Sequence, residues 1–141
     1  MRPRLRVLIV DDEMLLRWAV TEAFRSCGHT VMEASDAAAA RRVLAHATVD
    51  AVLIDYWSSE RENFPLLQTV GALVPAPAVV LTTAFAIEGL EEQARAVGAA
   101  ALVHKPFDVF GIEPVLQRVC EARSHGARKE ARDLPDDFRS L

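Results

Sequence analysis

Two stretches of the chain, Val7-Leu8-Ile9-Val10 and Val52-Leu53-Ile54, are apolar at every position and too short to be helices. A strand with one wet face alternates apolar and polar residues, so an unbroken run predicts a strand covered on both faces, as in the parallel sheet of an α/β protein. The first run extends back to Leu5, and further runs recur at Thr30 to Met32, Ala51 to Ile54, Ala78 to Leu81 and Ala101 to Val103. Segments of helical period separate them. Five strands alternating with helices predict an α/β fold, a doubly wound five-stranded parallel sheet, because parallel neighbours require crossovers and right-handed crossovers place helices on both faces.

The helices are legible to different degrees. Leu16, Ala19, Val20, Ala23, Phe24 and Cys27 form one helical stripe that Gly28 can close. Ser35 is the expected N-cap of a second helix over Ala37 to Ala47. Pro65 suits the first turn of a third, which packs Leu66, Leu67 and Val70 and ends near Gly71. Ile87, Leu90, Ala94 and Val97 mark a fourth, closed by Gly98. Ile112, Val115, Leu116, Val119 and Ala122 mark a fifth, and Pro114 is expected in its first turn, since deeper in a helix it removes a hydrogen bond and clashes with the preceding turn.

With 141 residues the chain suffices for one ordinary domain. From Ser124 onward the apolar pattern dissolves into four basic and four acidic residues. The expected organisation is therefore a domain over 1–123 and a linker or flexible tail over 124–141. A net charge of −4 offers no basic footprint for direct binding of nucleic acid or an anionic membrane. No apolar run is long enough to span a bilayer, so a soluble cytoplasmic protein is expected. Cys27 and Cys120 read as reduced core residues, and His29, His46 and His125, which share no metal-ligand spacing, read as surface residues.

In a doubly wound sheet, functional groups gather at the carboxyl ends of the strands. There the sequence places Asp11-Asp12-Glu13, then Asp55, then Thr82-Thr83, then Lys105-Pro106. An acidic pair by itself is an ordinary helix N-terminus. Three carboxylates at one rim, however, repel one another at neutral pH unless a cation or a raised pKa relieves them. Mg²⁺ is the simplest remedy: it takes hard oxygen ligands, typically one or two carboxylates plus a phosphate, which suits Asp12 and Asp55 with Asp11 acting through water. Lys105 can pair with Asp55 or a phosphoryl oxygen, and the Thr83 hydroxyl can donate a further hydrogen bond. Thr82 reads as a core-facing strand end, and His104 as a structural residue.

These residues, Val7 to Glu13, Asp55, Thr83-Ala84 and Lys105-Pro106-Phe107, resemble those of the receiver domains of two-component response regulators, and the resemblance covers roughly residues 5–123. It implies the flavodoxin-like (βα)5 strand order 2-1-3-4-5, for which the chemotaxis receiver is a standard example. It implies that Asp55 is the nucleophile that takes a phosphoryl group from a sensor histidine kinase or phosphotransfer protein, assisted by Thr83 and Lys105. Asp11, Asp12, Asp55 and Trp57 are then the expected Mg²⁺ site. It further implies an output through a downstream effector protein or a further output domain, a possible homodimer through the face of the fourth helix, fifth strand and fifth helix, and a cis Lys105-Pro106 bond. Asp11-Asp12-Glu13 followed by Leu16-Arg17-Trp18 is similar to receivers of nitrogen-regulation-type activators.

Two positions depart from the family pattern. Leu102 stands where an aromatic switch residue is usual, and the loop after Asp55, Tyr56 to Asn63, lacks the usual proline and glycine. By the same resemblance, Trp57 and Phe85 occupy positions from which family side chains flank the phosphoryl group. The competing readings are a degenerate receiver that binds partners without phosphorylation, and a metal-dependent phosphohydrolase. The latter commonly needs a second acid two residues after its nucleophile, where Asp55 is followed by Trp57.

Overall fold

The computed structural model describes residues 3–56, 63–84 and 88–133. Strands and helices alternate throughout: β1 (Arg6–Val10), α1 (Met14–Ser26), β2 (Thr30–Ala34), α2 (Ala37–His46), β3 (Ala51–Asp55), α3 (Asn63–Gly71), β4 (Ala78–Thr83), α4 (Leu90–Ala96), β5 (Ala101–His104) and α5 (Val109–Asp133). The strands form one parallel sheet in the order β2-β1-β3-β4-β5. Strand order and the parallel arrangement are those expected.

The two-residue period of each strand divides the core into two layers. Leu8, Val10, Val52, Ile54, Val79 and Leu81 face Ala37 and Ala40 of α2, Leu66, Leu67 and Val70 of α3, and Ala94 of α4. Val7, Ile9, Ala51, Leu53, Ala78 and Val80 face Val20 and Phe24 of α1 and Ile112 and Leu116 of α5. β3 and β4 are buried along their whole length, which is why their sequences show no polar alternation. Gly28 and Gly98, at the ends of α1 and α4, have φ of 92°, a conformation that L side chains resist.

Several local expectations are corrected. The N-cap of α2 is Asp36, not Ser35: Asp36 is extended, and its carboxylate accepts the Ala39 amide at 2.7 Å. Helix α5 begins five residues ahead of Pro114, because the Asp108 carboxylate accepts the Phe110 amide at 3.0 Å and starts the helix there. Pro114 therefore lies inside the helix rather than in its first turn. The same helix runs to Asp133. The loss of an apolar face reports on packing, whereas Ala127-Arg128-Lys129-Glu130-Ala131-Arg132 are good helix formers. Cys27 is exposed rather than in the core: it caps α1, where the chain leaves the helix and the apolar stripe no longer predicts direction.

His29 is buried, not on the surface. Its Nδ1 accepts the Leu5 amide at 2.9 Å, so its proton sits on Nε2, 2.9 Å from Glu113 Oε1. Gln117 Nε2 donates to the same Glu113 oxygen at 3.1 Å and to the Pro3 carbonyl at 3.2 Å. This buried cluster ties α5 to the amino-terminal edge of the sheet, opposite the acidic edge.

Candidate functional site

The carboxyl edge collects every residue that strand-end position singled out and that the structure describes. Asp11 follows β1 directly, with its amide still bonded to the Ala34 carbonyl of β2 at 3.1 Å. Asp55 ends β3, Thr83 ends β4, and Lys105 follows β5, its amide bonded to the Thr83 carbonyl at 2.7 Å. Asp11, Asp55 and Thr83 are buried, and Asp12 is exposed at the rim. One carboxylate oxygen from each of Asp11, Asp12 and Asp55 lies within 4.8 Å of the others.

Lys105 is the counter-charge. Its Nζ lies 3.1 Å from Asp11 Oδ2, 3.4 Å from Asp55 Oδ2 and 3.3 Å from Glu13 Oε1. Burial lowers the pKa of this ammonium, but the charges of Asp11 and Asp55, with smaller help from a hydrogen bond to Asp11 and from Glu13, outweigh burial and leave it above its ordinary value. For Asp11 the balance goes the other way. Desolvation raises its pKa by more than the Glu13 amide and Lys105 lower it. A buried carboxylate pushed upward beside two others is a group that a cation would stabilise.

The donor set fits a hard divalent ion. It offers three carboxylate oxygens close enough to share one centre. Beside it a cavity of about 440 Å³ is lined by Glu13, Leu16, Ala84, Lys105, Pro106 and Phe107. The Lys105-Pro106 bond is cis, as expected. Thr82 is buried, as expected of a core-facing strand end, whereas His104, paired with Thr83 at the end of β5, is exposed. Leu102, at the position of the usual aromatic, is half-buried against the α2–α3–α4 layer. The expectations for Trp57, as part of the metal site, and for Phe85 fall outside the described residues.

Two contacts at this edge escaped the sequence reading: Glu13 on Lys105, and Arg17, whose Nη1 donates to the Asp11 carbonyl at 2.7 Å. The available signal was Arg17 in the first turn of α1, since helical side chains lean toward the N-terminus.

Sheet order and acidic edge together define a flavodoxin-like α/β module with its polar centre at the carboxyl ends of β1, β3, β4 and β5. The response regulator receiver domain family matches residues 7–116, and the chain belongs to that family. It is similar to the transcriptional regulatory protein PdtaR of Mycobacterium tuberculosis, with 34% identity over 113 residues, 79% of this chain and 55% of that protein. The chain spans about half the length of the first curated relatives it matches. Among solved structures, NtrX from Brucella abortus aligns with a TM-score of 0.81 at 24% identity, over 94% of this chain and 30% of that one. A CheY-like receiver domain protein from Methanospirillum hungatei aligns with a TM-score of 0.79 at 19% identity, over 88% and 99%. These structural likenesses show the fold. Among the described residues, no helix is long and apolar enough to cross a membrane.

Proposed function

We propose that this receiver domain is a phosphoacceptor switch in which Asp55 takes a phosphoryl group from a phosphohistidine on a sensor histidine kinase or phosphotransfer protein. A carboxylate oxygen of Asp55 attacks phosphorus, the P–N bond breaks as the P–O bond forms, and the imidazole leaves with the bonding pair. The observation that carries this reading is the meeting of the Asp55 carboxylate with those of Asp11 and Asp12, within reach of the Lys105 ammonium. Lys105 is held by carboxylates on three sides, so it can turn from Asp55 to a phosphoryl oxygen without being desolvated afresh. Asp11, Asp12 and Asp55 would hold Mg²⁺, which when bound supplies charge neutralisation for the transferred group.

Thr83, buried at the end of β4, is the hydroxyl placed to follow the new phosphoryl oxygens. Its movement would be passed to α4, β5 and α5, changing a surface for an effector, an output domain or a second copy of the chain. In this account the chain works in the cytoplasm as a signalling module rather than as an enzyme turning over a substrate.

Incubation with Mg²⁺ and acetyl phosphate, followed by intact mass, tests the proposal. One added phosphoryl group that is absent in Asp55→Asn is the expected result. An unmodified wild-type mass would favour phosphorylation-independent binding, and continuous release of phosphate from a generic ester would favour a phosphohydrolase.

A further inference from the structure

Resting on that phosphoacceptor reading, we infer that Arg17 is a positioning residue of the metal pocket: it holds the carbonyl of the Asp11–Asp12 peptide, and with it the placement of the Asp12 carboxylate against Asp11 and Asp55, while Glu33 on β2 holds its guanidinium in place.

Besides the Lys105 contact on its Oδ2 at 3.1 Å, Asp11 is restrained at three points. Its amide donates to the Ala34 carbonyl at 3.1 Å, its Oδ1 accepts the Glu13 amide at 2.9 Å, and its carbonyl oxygen accepts Arg17 Nη1 at 2.7 Å. The first two hold the start of the turn and one carboxylate oxygen. Among the described residues, only the third holds the carbonyl of the peptide that joins Asp11 to Asp12. By holding that carbonyl, Arg17 restrains ψ of Asp11; a change in this angle not matched by an opposite change in φ of Asp12 would swing the Asp12 carboxylate relative to those of Asp11 and Asp55. Oxygens that now lie within 4.8 Å of one another would spread.

Arg17 suits this role by its fork. Nη1 reaches the Asp11 carbonyl while Nε lies 3.3 Å from Glu33 Oε1, so a single rigid guanidinium spans the end of β1 and the edge of β2. The ion pair is partly exposed, and pairs of that kind contribute little to stability. Its value in this geometry is placement.

Charge and placement predict opposite signs. Removing a cation near three carboxylates should tighten Mg²⁺ binding if Arg17 acts only through its charge. It should weaken binding if Arg17 positions ligands, and groups behind metal ligands are commonly worth 10- to 100-fold in affinity. The double variant Arg17→Gln/Glu33→Gln separates the two, because it leaves the net charge unchanged.

The experiment is a calorimetric titration of the full chain with Mg²⁺ and no phosphodonor, followed by labelling rates with acetyl phosphate across a Mg²⁺ series. The expected result for the double variant is roughly tenfold weaker Mg²⁺ binding, with a labelling rate at saturating Mg²⁺ within about twofold of wild type. Arg17→Lys keeps the charge but cannot span both partners, so it should fall between the two and serves if the double variant does not fold. Wild-type Mg²⁺ affinity in either variant, or tighter binding in Arg17→Gln alone, would overturn the inference. Should the wild-type chain itself take up no Mg²⁺, the phosphoacceptor reading falls and this inference falls with it.

Discussion

Burial works against the charge of Asp11, whose pKa is raised above 3.8 chiefly by desolvation. For a group raised in this way, the favourable contribution to stability is complete below the unfolded-state pKa and is lost as pH rises through the folded one. Ionising this carboxylate is therefore a cost to the folded state. Asp11→Asn should melt higher than wild type at pH 7 without divalent cations, and should gain less than wild type when Mg²⁺ is added. A lower melting temperature in metal-free buffer would contradict this. The two thiols differ for a related reason. Cys120 is half-buried and its pKa is raised, first by desolvation and then by the charge of Asp50, with Arg123 opposing, while Cys27 is exposed. A maleimide should modify Cys27 first, by at least about tenfold in rate, and the reverse order by peptide mapping would sink the assignment.

At the scale of elements, α5 is anchored by a cluster whose members are far apart in sequence. Glu113 Oε1 accepts from both His29 Nε2 and Gln117 Nε2 in a buried setting. Glu113→Ala would strand His29 Nε2 and leave Gln117 Nε2 its bond to the Pro3 carbonyl, and should cost about 1–3 kcal/mol in urea unfolding at unchanged m-value. A loss below about 0.5 kcal/mol, the range of ordinary surface substitutions, would show that the cluster does not hold the helix. Asp36→Ala, by removing the N-cap of α2, should cost about 1 kcal/mol by the same measurement.

These examples also separate what was legible in the sequence from what was not. Strands β1 and β3 announce themselves because burial on both faces leaves an unbroken apolar run. Asp11, Asp55, Thr83 and Lys105 were found because strand ends define the polar edge. The choice of Asp36 over Ser35 rests on which of two adjacent capping residues adopts the extended conformation, and neither composition nor spacing encodes that. His29 was misplaced because its partner lies 84 residues away, beyond any local period. Pro114 suggested a late helix start because the competing signal, the Asp108 carboxylate, acts from outside the apolar stripe.

For the whole molecule, the sheet brings acidic groups from β1 and β3 together with a lysine from β5, and β4 lies between β3 and β5 in the strand order. A change at Thr83, which ends β4, is thus one strand away from the α4–β5–α5 face, and Lys105 directly follows β5. Lys105→Ala should still permit labelling of Asp55, more slowly, but should uncouple labelling from any change in self-association followed by sedimentation. Coupling equal to wild type would remove Lys105 from the switch.

The central claim is that one carboxylate, Asp55, receives the phosphoryl group with the help of a cation held by its acidic neighbours. The most direct measurement is the amount of hydroxylamine-labile phosphate per chain after reaction with acetyl phosphate, with and without Mg²⁺, located by peptide mass. The account predicts one group per chain, on the peptide containing Asp55, dependent on Mg²⁺ and lost in Asp55→Asn. Label that persists in Asp55→Asn, or that forms equally well in the presence of a chelator, would contradict it.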